Sequence, residues 1–469
     1  MKALRHFLLL GFAAFSVARA SATGDGRVVV NYWEKWTGFE ADAMRTVVDE
    51  FNRAQDRIEV RFLSVSQIDV KLMLATSGGN PPDVAGLWSH SVTDFSEKGA
   101  LTPLDGALAR AHVGADRFVP VFWELCRHRG FTWALPVTPA CIALFYNKKM
   151  FREAGLDPDR PPRTMAELAA MNARLTAVEV ERAGERATVA FAALTPEERA
   201  AHRFTLIRAG HLPQEPGWYR EMWGYWFGAE LYDGGRSIAA THPGNIAAFT
   251  WFRQTAQDLG VENLRLFGST FGTMASPQNP FLGGTVAMVL QGPWMTNFIE
   301  KYAPGLEWGV AAFPAADGVA GGAPVTVVES DVVVIPCGAP HPREAFEFIL
   351  YLQRQDVAEK LALGQRKFTA LRAVSPAFLA QHPNPAIGFF VELSRSSGAR
   401  FVPRLAMWRE YKEELLVAAD EALNLRQTPE AALAVAQARV QRRLDRAVRR
   451  WDVVGAKRLE EWRQRDAEW

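Results

Sequence analysis

Residues 27–62 constrain the fold most, because their apolar side chains change from a strand pattern to a helix pattern and back. Residues 27–32 are typical of an apolar strand, and residues 58–62 alternate apolar and polar side chains as a second strand does. The residues between them place four apolar side chains on one helical face: Met44, Val47, Val48 and Phe51. A strand, a helix and a strand in this order predict a parallel pair in an open sheet that helices cover on both faces. We therefore predict an α/β fold whose ligands bind where the strands end.

Three predicted strands end at tryptophans that have polar neighbours. The side chains concerned are Glu34, Lys35 and Trp36 after the first strand, Trp88 and His90 after another, and Trp294 after the Gly-Pro turn within residues 283–298. Side chains at strand ends of an open sheet converge on one cleft, so this placement predicts flat apolar walls for a ligand. The alternative is that these rings fill the core at strand-helix corners and that His90 is a surface imidazole.

The first twenty residues have the pattern of a secretory signal peptide. Lys2 and Arg5 precede an apolar stretch at residues 7–17, and Ala18-Arg19-Ala20 is a small-x-small cleavage site. We expect cleavage after Ala20 and a periplasmic mature chain. With no cysteine at the cleavage site, a bacterial lipid anchor is not expected, and the apolar stretch is too short to span a membrane.

Length and charge favour a two-domain protein with an uncharged ligand. The chain has 469 residues, of which 48% are hydrophobic and 22% charged, enough for two ordinary cores. The formal charge of +1 includes Lys2, Arg5 and Arg19, so the mature chain carries 1 − 3 = −2. A total charge near zero argues against nucleic acid, or an anionic membrane, as the main partner.

Motifs for metal binding or catalysis are missing from the sequence. The nine histidines and three cysteines show no ligand spacing beyond the weak Cys126-x-His128, so we expect no metal and no cofactor. An oxidising compartment would permit a Cys126–Cys141 disulfide, a question that the sequence leaves open. Nucleophile-elbow, dinucleotide and phosphate-loop motifs are also missing, so we do not expect an enzyme.

The C-terminal segment is predicted to be a long amphipathic helix. Thr428-Pro429-Glu430 is a helix start, and a stripe of apolar side chains follows: Leu433, Val440, Leu444, Val448 and Trp451. We expect this helix to pack on the second half of the molecule. Residues 456–469 are predicted to add a further amphipathic turn or two, for which a solvated end is favoured over a partner-facing one.

Six segments together resemble the extracellular solute-binding proteins of family one, the maltose-binding-like receptors of ABC importers. They are WEKWTGFEADAMRTVVDEFN, SGGNPPDV, ALFYNKKMFREAGLDP with PPRTMAEL, GGTVAMVLQGPWM, EAFEFILYL and TPEAALAVAQARVQRRLD. Each alone is a weak signal, but they follow the family's order along nearly the whole mature chain.

The resemblance implies a two-lobed periplasmic-binding-protein type II fold, each lobe an open mixed sheet flanked by helices, with three hinge crossings. We expect these crossings near residues 137–140, 325–331 and 367–373. The N-terminal lobe would comprise residues 21–137 and about 332–368. The C-terminal lobe would comprise residues 138–331 and about 369–469.

The resemblance also implies the binding residues. On the first lobe they are Glu34, Lys35, Trp36, Trp88 and His90, and on the second lobe Trp223, Tyr225, Trp226, Trp294 and Trp408. Ala140 stands where some relatives have an acidic side chain, and Ser91-Val92 where maltodextrin binders have charged residues. Both departures weaken the case for a maltose-like pattern of hydrogen bonds.

The function that the resemblance implies is non-enzymatic: a monomer binds a sugar or oligosaccharide between closing lobes and delivers it to an ABC permease. Fifteen tryptophans suit such a ligand, because indoles pack on the C–H faces of pyranose rings while polar groups bind the hydroxyls. The alternative is a polyamine, glycerol-phosphate or other small polar solute. A carbohydrate-active enzyme is the remaining reading.

Overall fold

The computed structural model describes residues 26–469 as a mixed α/β protein. The predicted signal peptide, with its cleavage site after Ala20, lies outside the described residues. The strands are β1 (Val28–Glu34), β2 (Ile58–Ser64), β3 (Val84–Trp88), β4 (Arg127–His128), β5 (Phe131–Thr132), β6 (Leu135–Cys141), β7 (Ala143–Asn147), β8 (Ala177–Arg182), β9 (Glu185–Ala190), β10 (Thr205–His211), β11 (Val286–Gln291), β12 (Trp308–Ala311), β13 (Val325–Val334) and β14 (Gly398–Arg400).

Helices cover the sheets and connect the strands. They are α1 (Gly38–Ala54), α2 (Ile68–Ser77), α3 (Val92–Glu97), α4 (Asp105–Arg110), α5 (Pro120–Glu124), α6 (Lys148–Glu153), α7 (Met165–Leu175), α8 (Pro196–Ala201), α9 (Pro243–Leu259), α10 (Val261–Gly268), α11 (Met295–Tyr302), α12 (Pro342–Leu352), α13 (Gln355–Gln365), α14 (Pro376–Gln381), α15 (Ile387–Ser394), α16 (Trp408–Leu423) and α17 (Pro429–Ala467). Short 3₁₀ helices include Arg220–Phe227.

The first sheet confirms the predicted β-α-β opening. Its strand order is β14-β13-β3-β1-β2, with β6 also paired to β13. Strand β1 runs parallel to β2 and β3, and α1 buries the four predicted side chains Met44, Val47, Val48 and Phe51. Successive residues of β13 point into different cores, Val333 into the one with α1 and Val332 and Val334 into another, so both faces are covered.

The second sheet has the strand order β12-β7-β11-β10-β8-β9. Strand β11 lies between parallel β10 and antiparallel β7, and all six of its residues are buried. Residues 283–298 therefore form the predicted strand, Gly-Pro turn and helix, with α11 beginning directly after Trp294.

The chain passes from the first sheet to the second and later returns to the first. Strand β6 ends at Cys141 in the first sheet, and β7 begins at Ala143 in the second. The chain returns between β12 and β13. The exact lobe boundaries, 21–137 with about 332–368 and 138–331 with about 369–469, stay a prediction.

The C-terminal helix differs from the expectation at its end. Its first half packs in the core of the second sheet through Leu433, Val440 and Leu444, as predicted. Residues 456–469, expected to be solvated, instead pack on the first sheet: Trp462 is 0% exposed and meets Trp133 edge to face at 4.8 Å. The expectation was wrong because the apolar stripe continues to Trp462, for which Trp133 provides a tertiary partner.

The three cysteines are unpaired. Cys126 and Cys141 are buried, separate thiols, and Cys337 is also free. Burial raises the pKa of both buried thiols well above the ordinary value.

In residues 26–469 no helix combines the length and apolar character needed to cross a bilayer.

Candidate functional site

A cavity of about 590 Å³ lies between the two sheets, where β1, β3 and β11 end. Six of the ten side chains singled out from the sequence line it: Lys35, Trp36, Trp88, His90, Trp294 and Trp408. The fold thus brings together indoles that are up to about 370 residues apart in the chain. We call this cavity the cleft.

The other four side chains lie elsewhere. Glu34 is buried behind the wall, where its Oε2 accepts a 2.6 Å hydrogen bond from the Tyr32 hydroxyl. Trp223 and Trp226 lie in the core of the second sheet, because three residues make one turn of their 3₁₀ helix and both rings face inward. Tyr225 donates its hydroxyl to Phe401 O at 2.9 Å and lines a different cavity.

Lys35 is held by three acceptors in the wall of the cleft. Its Nζ lies 2.9 Å from Glu34 Oε1, 2.9 Å from Asp331 Oδ1 and 3.2 Å from Leu87 O. An ammonium group has three donors, so these contacts use all of them. The same nitrogen lies 5.0 Å and 5.2 Å from the ring centroids of Trp36 and Trp88. Lys35 therefore fixes the positions of two indoles.

Asp331 on β13 joins two lysines in a buried chain of charges. Its Oδ2 accepts from Lys367 Nζ at 2.9 Å and from the Thr138 hydroxyl at 3.1 Å. Lys367 in turn lies 2.7 Å from Glu40 Oε1. The alternating order Glu34, Lys35, Asp331, Lys367, Glu40 balances each buried charge with neighbours of opposite sign, the condition for keeping charges out of water.

Burial and these charges together shift the pKa values of three side chains in the cleft. Burial would raise the pKa of Asp331, but Lys35 and Lys367 hold it well below its usual range. Burial and then the Asp331 charge raise the pKa of Glu329 to about 7. Burial, followed by the charges of Lys412 and Lys35, lowers the pKa of His90 to about 4. At neutral pH His90 is neutral and Glu329 is poised between its two forms.

The aromatic walls come from both sheets. Trp88 stacks on His90 with the rings 5.9 Å apart and nearly parallel at 9°. On the opposite side, the Trp294 indole donates to Gln291 Oε1 at 3.1 Å. Gly292 is required there, because a Cβ at this position would lie 2.3 Å from the Trp294 ring. The Gly-Pro turn thus places the indole directly over its own backbone.

The wall of the second sheet also contains polar atoms that lack a partner. Glu221 is 2% exposed; its Oε1 pairs with Lys412 Nζ at 3.3 Å, while its Oε2 accepts no hydrogen bond. The indole nitrogen of Trp218 also has no acceptor. A buried polar group without a partner costs about 1–3 kcal/mol, so this wall has unused hydrogen-bonding capacity.

Sequence reasoning singled out Lys35 but missed six other charged residues of the cleft. They are Glu40, Glu221, Glu329, Asp331, Lys367 and Lys412. One signal was present: Glu329 and Asp331 interrupt the apolar run of β13, and charges in a buried strand need partners or a ligand. The other four lie on helices, turns or loops, where charged residues are ordinary.

A second cavity, of about 710 Å³, lies beneath α17. Its polar lining is largely paired internally: Arg129 with Glu97, and Arg236 with Asp452. The Arg129 guanidinium also lies 3.6 Å from the ring centroid of Trp451. Because both arginines already have carboxylate partners, the cleft, which has unpartnered polar atoms, is the better candidate site.

Comparisons with known proteins agree on one family. A family model described as bacterial extracellular solute-binding protein matches residues 40–359. A binding protein of Brucella abortus (strain 2308) is 25% identical over 406 residues, which cover 86% of this chain and 89% of that protein. The maltotriose-binding protein of Pyrococcus abyssi (strain GE5 / Orsay) is 23% identical over 292 residues, covering 62% of this chain and 54% of that protein.

Solved structures agree in fold. CpMnBP1 with mannotriose bound has a TM-score of 0.75 at 25% identity and covers 88% of this chain and 99% of its own. The sugar-binding protein MalE from Xanthomonas citri has a TM-score of 0.69 at 20% identity, covering 90% of this chain and 98% of its own. The predicted two-lobed α/β fold is confirmed. With more than half of its length matched by the family model, this chain belongs to the bacterial extracellular solute-binding proteins.

Proposed function

We propose that this protein is the periplasmic receptor of an ABC importer and binds a sugar or oligosaccharide between its lobes without altering it. The observation that carries the proposal is the cleft itself, in which indoles from both sheets surround a space bordered by ordered carboxylates and lysines. Relatives named for maltotriose and mannotriose support the same ligand class. Export with cleavage after Ala20, a monomeric state and delivery to a permease are parts of this proposal.

The chemistry of the cleft suits pyranose rings. Trp36, Trp88, Trp294 and Trp408 offer flat apolar faces to the C–H faces of a sugar. Glu221 and Glu329 offer oxygens to the sugar hydroxyls, and the Trp218 indole offers a donor. In this account Glu34 and Lys35 position the wall, while Trp223, Tyr225 and Trp226 support it from behind.

Charge balance argues against a phosphorylated ligand. Lys35 and Lys367 both pair with Asp331, and Lys412 pairs with Glu221. The lining contains four carboxylates and three lysines: Glu40, Glu221, Glu329, Asp331, Lys35, Lys367 and Lys412. A phosphate group would therefore meet a surplus of negative charge and ammonium groups that are already engaged.

A polyamine is the second candidate. The carboxylate surplus and the exposed ring faces would both attract a cation, since ammonium groups bind acids and aromatic faces alike. Glu329 would become the main anionic contact, because none of the lysines in the cleft pairs with it directly.

A thermal-shift screen of the mature chain tests the ligand class. The panel contains manno- and malto-oligosaccharides, monosaccharides, polyamines and glycerol 3-phosphate. A ligand at about 100 times its Kd adds roughly 2.7 kcal/mol to the folded state and raises the melting temperature. We expect a shift with an oligosaccharide and recovery of that sugar unchanged by chromatography. A shift with polyamines alone would favour the second candidate, and new products would indicate an enzyme.

Paired tryptophan variants test the site. Trp294→Ala removes a ring from the cleft, and Trp308→Ala removes a partly buried ring from β12, which packs on Phe145 outside it. Loss of one stacking surface lowers affinity by roughly tenfold or more. We expect this loss in titration calorimetry for Trp294→Ala and near-normal affinity for Trp308→Ala. Equal affinities in the two variants would contradict the assignment of Trp294.

A further inference from the structure

Five arginines form a continuous exposed face along the middle of α17. They are Arg442, Arg443, Arg446, Arg449 and Arg450, and all are exposed. At 100° per residue they fall within an arc of about 120° on one side of the helix. The opposite side of the same segment faces inward: Leu444 is buried, and Leu444, Val448 and Trp451 line the cavity beneath. We call this exposed side the arginine face.

The arginine face forms no ion pair within the described part of the chain. None of its guanidinium groups lies within ion-pair distance of a carboxylate of residues 26–469. Nearby acids are engaged elsewhere: Glu414 with Arg439, Asp452 with Arg236, and Asp445 with the Gln441 amide. Five unpaired positive charges over nine successive helix positions repel one another, so the face favours a negatively charged partner.

Two exposed valines lie in line with the arginines. Val453 is 82% exposed and Val435 is 43% exposed, and both are among the large apolar side chains left in water. By helical spacing each falls at the centre of the arginine arc, one at either end, about 27 Å apart. A helix side that combines arginines with exposed apolar side chains is typical of segments that lie on a membrane surface.

We propose that the arginine face docks on an anionic phospholipid surface and holds the receptor close to the membrane that contains its permease. The guanidinium groups spread over a convex helix side, which matches a flat lipid surface better than the narrow pocket of an acidic protein. Each arginine close to an anionic surface adds attraction, and the valines reach the headgroup boundary. The mature chain's total of −2 does not oppose this docking, because surface attraction depends on the local charge within a Debye length.

Vesicle sedimentation of the mature full-length protein tests the proposal. The vesicles contain 30% phosphatidylglycerol in phosphatidylcholine, with pure phosphatidylcholine as the neutral reference. We expect binding to the anionic vesicles alone, weakening steeply as salt is raised from about 50 to 300 mM. Changing all five arginines of the face to glutamine should weaken this binding roughly a hundredfold or more.

A matched control separates the arginine face from total charge. Five exposed arginines on other parts of the molecule are changed to glutamine together: Arg53, Arg163, Arg203, Arg343 and Arg372. This variant loses the same charge and should keep most of its binding. The melting temperature of each variant, with and without the sugar that stabilises the parent, shows that both remain folded. Equal binding to neutral vesicles, or equal loss in both variants, would overturn the proposal. Binding to polyglutamate but not to vesicles would assign the face to an acidic protein and would also overturn it.

Discussion

At the scale of single residues, Asp331 is the centre of the cleft. Its two carboxylate oxygens bind Lys35 and Lys367, and Lys35 in turn lies against Trp36 and Trp88. One acid on β13 thus positions aromatic rings at the ends of two other strands. Such a role is set by tertiary contacts, which is why the tryptophans were predictable from their strand-end positions and the ion pairs behind them were not.

Asp331→Asn should remove both ion pairs of this residue and lower the stability of the fold. Removing one partner of a buried ion pair leaves the others uncompensated and costs about 3–5 kcal/mol. We expect that loss in urea-induced unfolding at neutral pH, together with weaker ligand binding. The lowered pKa also sets the pH dependence: the contribution of Asp331 is complete above its unfolded pKa of about 4 and is lost as pH falls towards its folded value. Unchanged stability in the variant would contradict the structural role of Asp331.

His211 adds a second loss of stability in acid, at a higher pH than that of Asp331. Burial lowers the pKa of this core imidazole to about 4, while its ring nitrogen lies 3.1 Å from Met288 O. The unfolded chain, with a pKa near 6.5, binds the extra proton first, so stability falls as pH drops from about 6.5 to 4. Between pH 7 and pH 5 this amounts to about 2 kcal/mol. His211→Asn should lose that part of the pH dependence in unfolding measurements; a slope equal to the parent's would contradict it.

At the scale of elements, α17 connects distant parts of the molecule. Its 39 residues extend about 58 Å. The first half packs on the second sheet, and Trp462 packs on the first. Periodicity predicted the helix and its start, where the Thr428 side chain accepts a hydrogen bond from the Ala431 backbone N–H. It could not predict where the last turns would pack, because the partner of Trp462 is Trp133, more than 300 residues earlier.

Trp462→Ala should therefore destabilise the first sheet. Removing a fully buried indole leaves a cavity and costs about 3–5 kcal/mol. We expect this loss in denaturant unfolding. Trp469→Ala is the milder comparison, because this ring is only partly buried and makes one hydrogen bond, to Pro103 O at 2.7 Å. A Trp462 variant as stable as the parent would show that the end of the helix does not dock in solution.

The Gly-Pro turn between β11 and α11 gives a local test of site geometry. Gly292→Ala places a Cβ about where the Trp294 ring lies, so the indole must move. Overpacking of this kind costs about 1–3 kcal/mol in stability. Ligand affinity should fall at least as strongly as in Trp294→Ala, measured by calorimetry. Unaltered affinity would mean that the position of this ring is not important for binding.

At the scale of the whole molecule, the sequence predicted more of the architecture than of the chemistry. Alternating strand and helix patterns indicated open sheets, and the order of six motifs indicated a two-lobed receptor. Both predictions were correct because hydrophobic patterns and turn residues can be read from short stretches of sequence. The tryptophans of the 3₁₀ helix lie in a core, and the charged lining apart from Lys35 went unrecognised. The direction in which a side chain faces depends on neighbours far away in the chain.

Small-angle X-ray scattering can show whether the two lobes close on a sugar. In a closed form both sheets would contact the ligand at once, so binding should shift the population towards a more compact form. With the sugar found in the screen at saturation, we predict a smaller radius of gyration than in the free protein, and no such change in Trp294→Ala at the same concentration. An unchanged radius for the saturated parent protein would contradict the account.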